Sequence, residues 1–232
     1  MKILALESSA KAASCAVWED GELKAQYFQN CALTHSRTLM PMVENMLHNC
    51  EMKIGDFDKI AVARGPGSFT GIRIGVAAAK GLAWGAEKPL CGVSTLEAMA
   101  HQVLAIAGEN DIICCAMDAR RSEIYNALFA NADGKLRRVS EDRAVSIAQV
   151  MEEAKISGKS YLFVGDGAKL CYNIFSENGI EASLAPAHLL FQSAWGVACA
   201  AETADAGIAD ELSPVYLRLS QAERERLRKK DN

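Results

Sequence analysis

The sequence of 232 residues has no C-x-x-C pair among its eight cysteines (Cys15, Cys31, Cys50, Cys91, Cys114, Cys115, Cys171 and Cys199). A zinc ribbon or a dithiol redox site therefore has no sequence support. No apolar run approaches the ~20 residues of a membrane span. The apolar start, Met1 to Leu6, is interrupted by Lys2 and stopped by Glu7, too soon for a signal peptide. Free thiols in a reducing cytoplasm are the expected state. A basic excess is also missing: 25 Lys and Arg against 29 Asp and Glu leave a net charge of −4. That argues against tight RNA or DNA binding by the chain alone. The histidines, His35, His48, His101 and His188, form no H-x-x-x-H and no H-E-x-x-H, and no G-x-S-x-G elbow is present. Nothing selects a cysteine–histidine pair as nucleophile and base. No metal site and no catalytic residue are expected.

What is present is an ordinary globular composition, 50% apolar and 23% charged. A chain this long buries roughly 70% of its unfolded surface, as one large domain or two small ones. Lys2–Glu7, Ser14–Trp18 and Glu22–Gln29 read as strands, with Asp20-Gly21 as a hairpin turn. Leu39, Met42, Val43, Met46, Leu47 and Cys50 then repeat at helical spacing. Pro41 belongs in the first turn of that helix, and should kink it if the helix starts earlier. Lys59–Ala63 is a strand, Arg64 to Ser68 a turn, and a helix runs from Ser68 to about Ala86. Leu90–Val93 is a strand and Thr95 to about Ala107 a helix.

The order then recurs. Ile112–Asp118 is an acid-ended strand like Ile3–Glu7, Glu123–Phe129 follows, and Asp133-Gly134 is a second hairpin signal before Leu136–Val139. A helix from Ser146 to about Ile156, a strand Tyr161–Val164, the turn Gly165-Asp166-Gly167 and a helix Ala168–Glu177 complete it. Glu7 precedes Asp20 by 13 residues and Asp118 precedes Asp133 by 15. Two α/β halves sharing common turns would explain this. A duplicated β-β-β-α-β-α unit explains more, and is the layout of the actin-like ATPase and sugar-kinase superfamily. The lobes are then 1–107 and 108–220, with a charged tail at 221–232. In the tail, Arg224, Arg226, Arg228, Lys229 and Lys230 alternate with Glu223 and Glu225. A solvated helix end is the simpler reading of it than an RNA contact.

In that layout the first strand of each lobe faces a nucleotide cleft. Glu7, Ser8, Ser9, Asp118, Gly165, Asp166 and Gly167 are the residues that would line it. Ser8 to Ala13 lacks the glycines that wrap phosphates, so the cleft reads as degenerate. Gly65-Pro66-Gly67-Ser68-Phe69-Thr70-Gly71 opens a helix, which suits an anion site or a purely structural turn. It fits neither the P-loop nor the dinucleotide template, because Ile72 follows Gly71 and Thr70 takes the place of the third glycine. From Ser68 to Ala86 the only charges are Arg73 and Lys80, and Gly71, Gly75, Gly81 and Gly85 each cost about 1 kcal/mol against alanine. Such a helix needs cover on more than its sheet side. Cover comes from an internal core or from a partner. The partner reading names Leu39, Met40, Val43, Met46, Leu47, Phe69, Ile72, Arg73, Val76 and Lys80.

Gly65 to Arg73 resembles the signature of the TsaB (YeaZ) family of bacterial tRNA threonylcarbamoyladenosine biosynthesis proteins. Asp118-Ala119-Arg120-Arg121-Ser122-Glu123-Ile124-Tyr125 is similar to the family's second motif, and Pro214-Val215-Tyr216-Leu217-Arg218 to its third. His35-Ser36 also fits. The likeness runs from Met1 to about Ala222. Glu7-Ser8-Ser9 stands where the family more often has Asp-Thr-Ser.

The resemblance implies an actin-like two-lobe fold and a cytoplasmic, non-catalytic scaffold for the paralogue TsaD, which transfers threonylcarbamoyl to adenosine next to the tRNA anticodon. TsaD holds its metal with an H-x-x-x-H pair, whereas here Leu39 follows His35. The resemblance also implies docking through the first two helices, onto TsaD or as a homodimer, and a TsaE-like ATPase in the same assembly. tRNA is met only through the complex, and ATP or ADP only in the assembled state. A metal-dependent glycoprotease-like peptidase and a small-molecule kinase of the same fold are the alternatives. The missing ligand pair opposes the first, and the poor phosphate loop opposes the second.

Overall fold

The computed structural model describes residues 1–120 and 122–218. Arg121 of the second motif and the charged tail at 221–232 lie outside the described residues. Two sheets form the frame. β1 (Lys2–Glu7), β2 (Ala13–Glu19), β3 (Glu22–Gln29), β4 (Lys59–Ala63) and β5 (Leu90–Val93) make the first, in the order β3-β2-β1-β4-β5. β6 (Asp111–Asp118), β7 (Glu123–Ala132), β8 (Lys135–Arg138), β10 (Ser160–Val164) and β11 (Ala182–Leu184) make the second in the matching order β8-β7-β6-β10-β11. β9 (Arg143–Ser146) pairs with β7 beyond β8. Both hairpin signals are real turns: Asp20 and Gly21, and Asp133 and Gly134, all have positive φ. That conformation keeps the twist of the flanking strands.

The helices are α1 (His35–Asn49), α2 (Phe69–Gly85), α3 (Thr95–Val103), α4 (Ile147–Ser157), α5 (Ala168–Glu177) and α6 (Ala194–Thr203). The duplicated two-lobe α/β layout expected from the sequence is present. β5 and α3 formed as read, whereas β9, β11 and α6 of the second half were not expected. α1 starts four residues before Leu39, so Pro41 lies inside it. The helix continues through it because Pro41 and Arg37 are both exposed. Water can reach the Arg37 carbonyl that proline leaves unpaired.

Strand alternation sorts the core. Leu4, Leu6, Cys15, Val17, Ile60 and Val62 face α1 and α2. Ile3, Ala5, Ala16, Ala61, Ala63 and Cys91 face the opposite way, onto Ala194, Val197, Ala198 and Ala201 of α6. The last helix of the second half therefore covers the first sheet. Reciprocally, Leu96, Met99, Ala100 and Val103 of α3 join the core of the second sheet with Ile113, Phe129, Phe163 and Phe175. Lys59 is buried and its ammonium donates to the carbonyls of Ala201 and Ala204 at the end of α6. A cation there opposes the negative end of the helix dipole. No helix among the described residues is long and apolar enough to cross a membrane.

Candidate functional site

The ends of β1 and β6, the start of α2 and the segment before Arg218 enclose a cleft of about 480 Å³. Lys11, Gly67, Thr70, Asp118, Arg120, Asp166, Tyr216 and Arg218 are among its lining residues. Glu7 lies below it, wholly buried, with Oε1 accepting the Ser9 N–H and Oε2 without a protein partner. Burial pushes its carboxyl up to about 7, against the hydrogen bonds from Ser9 and Ser8. The charge of Asp166 adds to the rise. Asp166 is itself raised by burial, while the Asp118 N–H and Gln192 Nε2 donate to its Oδ1 at 3.3 and 3.4 Å. Asp118 is exposed and accepts the Arg120 N–H at 2.7 Å, holding the turn in which Arg120 has φ of 65°. Gly165 and Gly167 pack on the backbone at Ala116 and Asp118. Of the seven residues expected to line the cleft, Asp118 and Asp166 do so, while Glu7, Ser8, Ser9, Gly165 and Gly167 are not among its lining residues. Among the described residues no three His, Cys, Asp or Glu side chains could hold a metal ion.

The Gly-rich turn is occupied by the chain itself. The Ser68 N–H donates to the Ser9 carbonyl at 2.6 Å, and the Ser68 hydroxyl accepts the Gly71 N–H to cap α2. Ser8 Oγ donates to the Gly71 carbonyl at 2.9 Å. A Cβ on Gly71 or Gly75 would lie 2.2 Å from the Ser8 carbonyl oxygen or 2.4 Å from Ser8 Oγ. These glycines let α2 lie directly on the Ser8-Ser9 loop. The neutral hydroxyls and carbonyls of that loop, beside the buried acids Glu7 and Asp166, suit a polyphosphate poorly.

The expected partner face requires a correction. Leu39, Val43, Met46, Leu47, Ile72 and Val76 are buried in the chain's own core, packed on β1, β2 and β4. They offer no surface. Internal packing accounts for the inner sides of both helices, because the wide apolar arc of α1 sits in a groove shared by the sheet and α2. Met40 is exposed. Lys80 is half-buried and donates to the Asp210 carbonyl at 3.2 Å. Arg73 is exposed with its guanidinium 3.7 Å above the Phe69 ring, and its Nε donates to the Tyr216 hydroxyl at 2.8 Å.

The outward side of α2 runs instead through Arg73, Ala77, Gly81 and Trp84, flanked by partly exposed Ile74, Ala78 and Leu82. Trp84 is 78% exposed. A Cβ on Gly81 or Gly85 would meet nothing within 4 Å. Sequence reasoning missed Ala77, Gly81 and Trp84. The available signal was their helical spacing from Arg73, one of the two charged residues of this stretch.

A family model described as TsaD, tRNA N6-adenosine threonylcarbamoyltransferase, matches residues 29–224. The tRNA threonylcarbamoyladenosine biosynthesis protein TsaB of Escherichia coli (strain K12) is 36% identical over 182 residues, 78% of each chain. The TsaB of Bacillus subtilis (strain 168) is 33% identical over 96% of each chain. A crystal structure of an uncharacterized protein with similarity to peptidase YEAZ, from Pseudomonas aeruginosa, superposes with a TM-score of 0.76 at 26% identity. That match covers 94% of this chain and 99% of the other. End-to-end likeness to TsaB sequences, three matching motifs and a shared two-lobe fold agree: this chain belongs to the TsaB (YeaZ) family.

Proposed function

We propose that this chain works in tRNA threonylcarbamoyladenosine biosynthesis as a non-catalytic scaffold and activator. Its occupant on the α1–α2 side is a TsaD-like catalytic paralogue, or a second copy when that paralogue is absent, with a TsaE-like ATPase joining the assembly. The observation that carries the docking is the outer side of α2. Gly81 and Gly85 cost helix stability although a side chain at either would meet nothing within the chain, and Trp84 stands in water between them. An apolar stripe left open in this way suits a protein contact.

The cleft supports the non-catalytic part. Its turn amide at Ser68 is bonded to Ser9, and its buried acid at Glu7 faces no cation. Leu39, where an H-x-x-x-H pair would place its second ligand, is buried in the core. ATP or ADP therefore belongs to the assembled complex, and tRNA is reached through it, in keeping with the net charge of −4. A cytoplasmic location follows from that work.

The test is reconstitution. Unmodified tRNA, a TsaD-like enzyme, a TsaE-like ATPase and the activated threonylcarbamoyl donor are combined with or without this chain, and the modified nucleoside is measured. Modification that depends on the chain, with no ATP turnover by the chain alone, is expected. Equal modification without it would refute the scaffold role.

A further inference from the structure

The third sequence motif, Pro214 to Arg218, meets α2 only at its first turns, through Phe69 and Arg73. It crosses from one lobe to the other. At its first end the Val215 N–H donates to the Arg64 carbonyl at 2.7 Å, and Gly65 lies so close that a Cβ would be 2.3 Å from the Val215 carbonyl oxygen. Only glycine suits Gly65, because its φ is 121° as well. In the middle, the Tyr216 ring packs 4.8 Å from that of Phe69 and its hydroxyl takes the Arg73 hydrogen bond. At its far end Arg218 donates to the Ala119 carbonyl at 2.9 Å and pairs with Glu123 at 2.6 Å. Arg64, Phe69 and Arg73 belong to the first lobe, whereas Ala119 and Glu123 belong to the second. The residues between, Val215 to Leu217, form part of the cleft wall.

We propose that Pro214–Arg218 is an interlobe strap, which holds the mouth of the cleft at a fixed opening and ties the first turns of α2 to the Asp118–Glu123 loop. The lobes are already joined elsewhere. α3 and α6 cross between the sheets, and Arg138 pairs with Glu97 and Asp142 at 2.7 Å each. None of those residues lines the cleft, whereas the strap grips both of its rims. Its second anchor is a charge pair with both partners partly exposed, so it is the end that lets go. Such pairs weaken with salt. When Arg218 releases, the Ala119 carbonyl loses its donor and the loop carrying Asp118 is freed from α2. This device stands independently of the scaffold reading.

The experiment is hydrogen–deuterium exchange on the full chain, wild type against Arg218→Ala and Glu123→Gln. The strap predicts that exchange rises roughly tenfold, as for loss of one charged hydrogen bond. It must rise together in peptides covering 8–11, 67–71 and 118–125, with β1 and β6 unchanged. A rise confined to 214–218, or none, overturns the proposal. Should either variant lose protection throughout, wild type at ~1 M salt, where screening is nearly complete, decides: the same three peptides must loosen together, and unchanged exchange in them overturns the strap.

Discussion

Gly196 of α6 sits against the Ala98 carbonyl of α3 so closely that a Cβ would lie 2.1 Å from the oxygen. Both atoms belong to helix backbones, so neither side can swing away. This contact is where the two halves of the chain exchange their last helices. Gln102 reinforces it from α3, accepting the Ser193 N–H at 3.0 Å and donating to the Phe191 carbonyl at 3.1 Å. The alanine-lined face of the first sheet is what lets α6 approach it closely.

Gly196→Ala should therefore be costly although alanine is the better helix former. Overpacking of a tight core costs about 1–3 kcal/mol, and backbone on both sides puts this site at the upper end. Urea unfolding measures it. A variant as stable as wild type would mean that α3 and α6 can separate without loss, and that the interlobe core is looser than the packing indicates.

Glu7 should make stability depend on pH. Its folded carboxyl titrates at about 7 against an ordinary value of 4.5, because burial disfavours the charge. The folded chain thus holds a proton that the unfolded chain releases. Below pH 4.5 the group contributes no penalty. Between 4.5 and 7 stability falls as pH rises, and above 7 the full penalty stands, about 3 kcal/mol at most. Glu7→Gln should remove that slope, so that its urea midpoint gains on wild type at pH 8 and matches it near pH 4. Parallel pH profiles for the two proteins would show that Glu7 is not held protonated by burial.

The frame was legible in the sequence wherever a local signal had one physical outcome. Asp20-Gly21 and Asp133-Gly134 favour positive φ at two successive residues, and both turns formed as read. Acid-ended strands at Glu7 and Asp118 came together because both end at the same cleft. The partner face was misread because periodicity marks which residues avoid water and says nothing of what covers them. Val76 and Ile72 satisfy that demand on β1 and β4. α6 was not legible at all: it is apolar nearly all round, with Gly196 near its start, and its neighbours come from the other half of the chain. The roles of Gly71 and Gly75 depend on Ser8, more than 60 residues away.

Thiol reactivity gives a check on burial. Cys31 is exposed, Cys50 and Cys199 are partly covered, and the other five are buried. Burial pushes Cys114 and Cys115 well above the ordinary thiol range, and Cys15 up to about 12. The thiolate is the reactive form, so these should stay silent in the native protein. With an aromatic disulfide reagent at pH 8, Cys31 should react first, and Cys114 and Cys115 only on unfolding. Rapid native labelling of either, located by peptide mapping, would contradict the second-lobe core.

Adjacent residues of α2 provide the sharpest test of the corrected face. Val76 is 4% exposed beneath the helix and Ala77 is exposed on its outer side. Val76→Glu places a carboxylate among Ile72, Val62 and Leu39 beneath the helix, and a charge buried there without a partner costs about 3–5 kcal/mol. That variant should lose stability or fail to fold, whatever it does to partners. Ala77→Glu leaves the core alone and should melt within ~0.5 kcal/mol of wild type. If the outer side of α2 is the docking surface, Ala77→Glu and Trp84→Glu should remain folded by circular dichroism. Both should then lose co-elution with a TsaD-like partner, since each sets a charge against an apolar contact. Folded variants that bind the partner as wild type does would move the docking surface off α2 altogether. A Val76→Glu protein with native stability would instead show that Val76 is not held in the core, and the uncorrected interface would return.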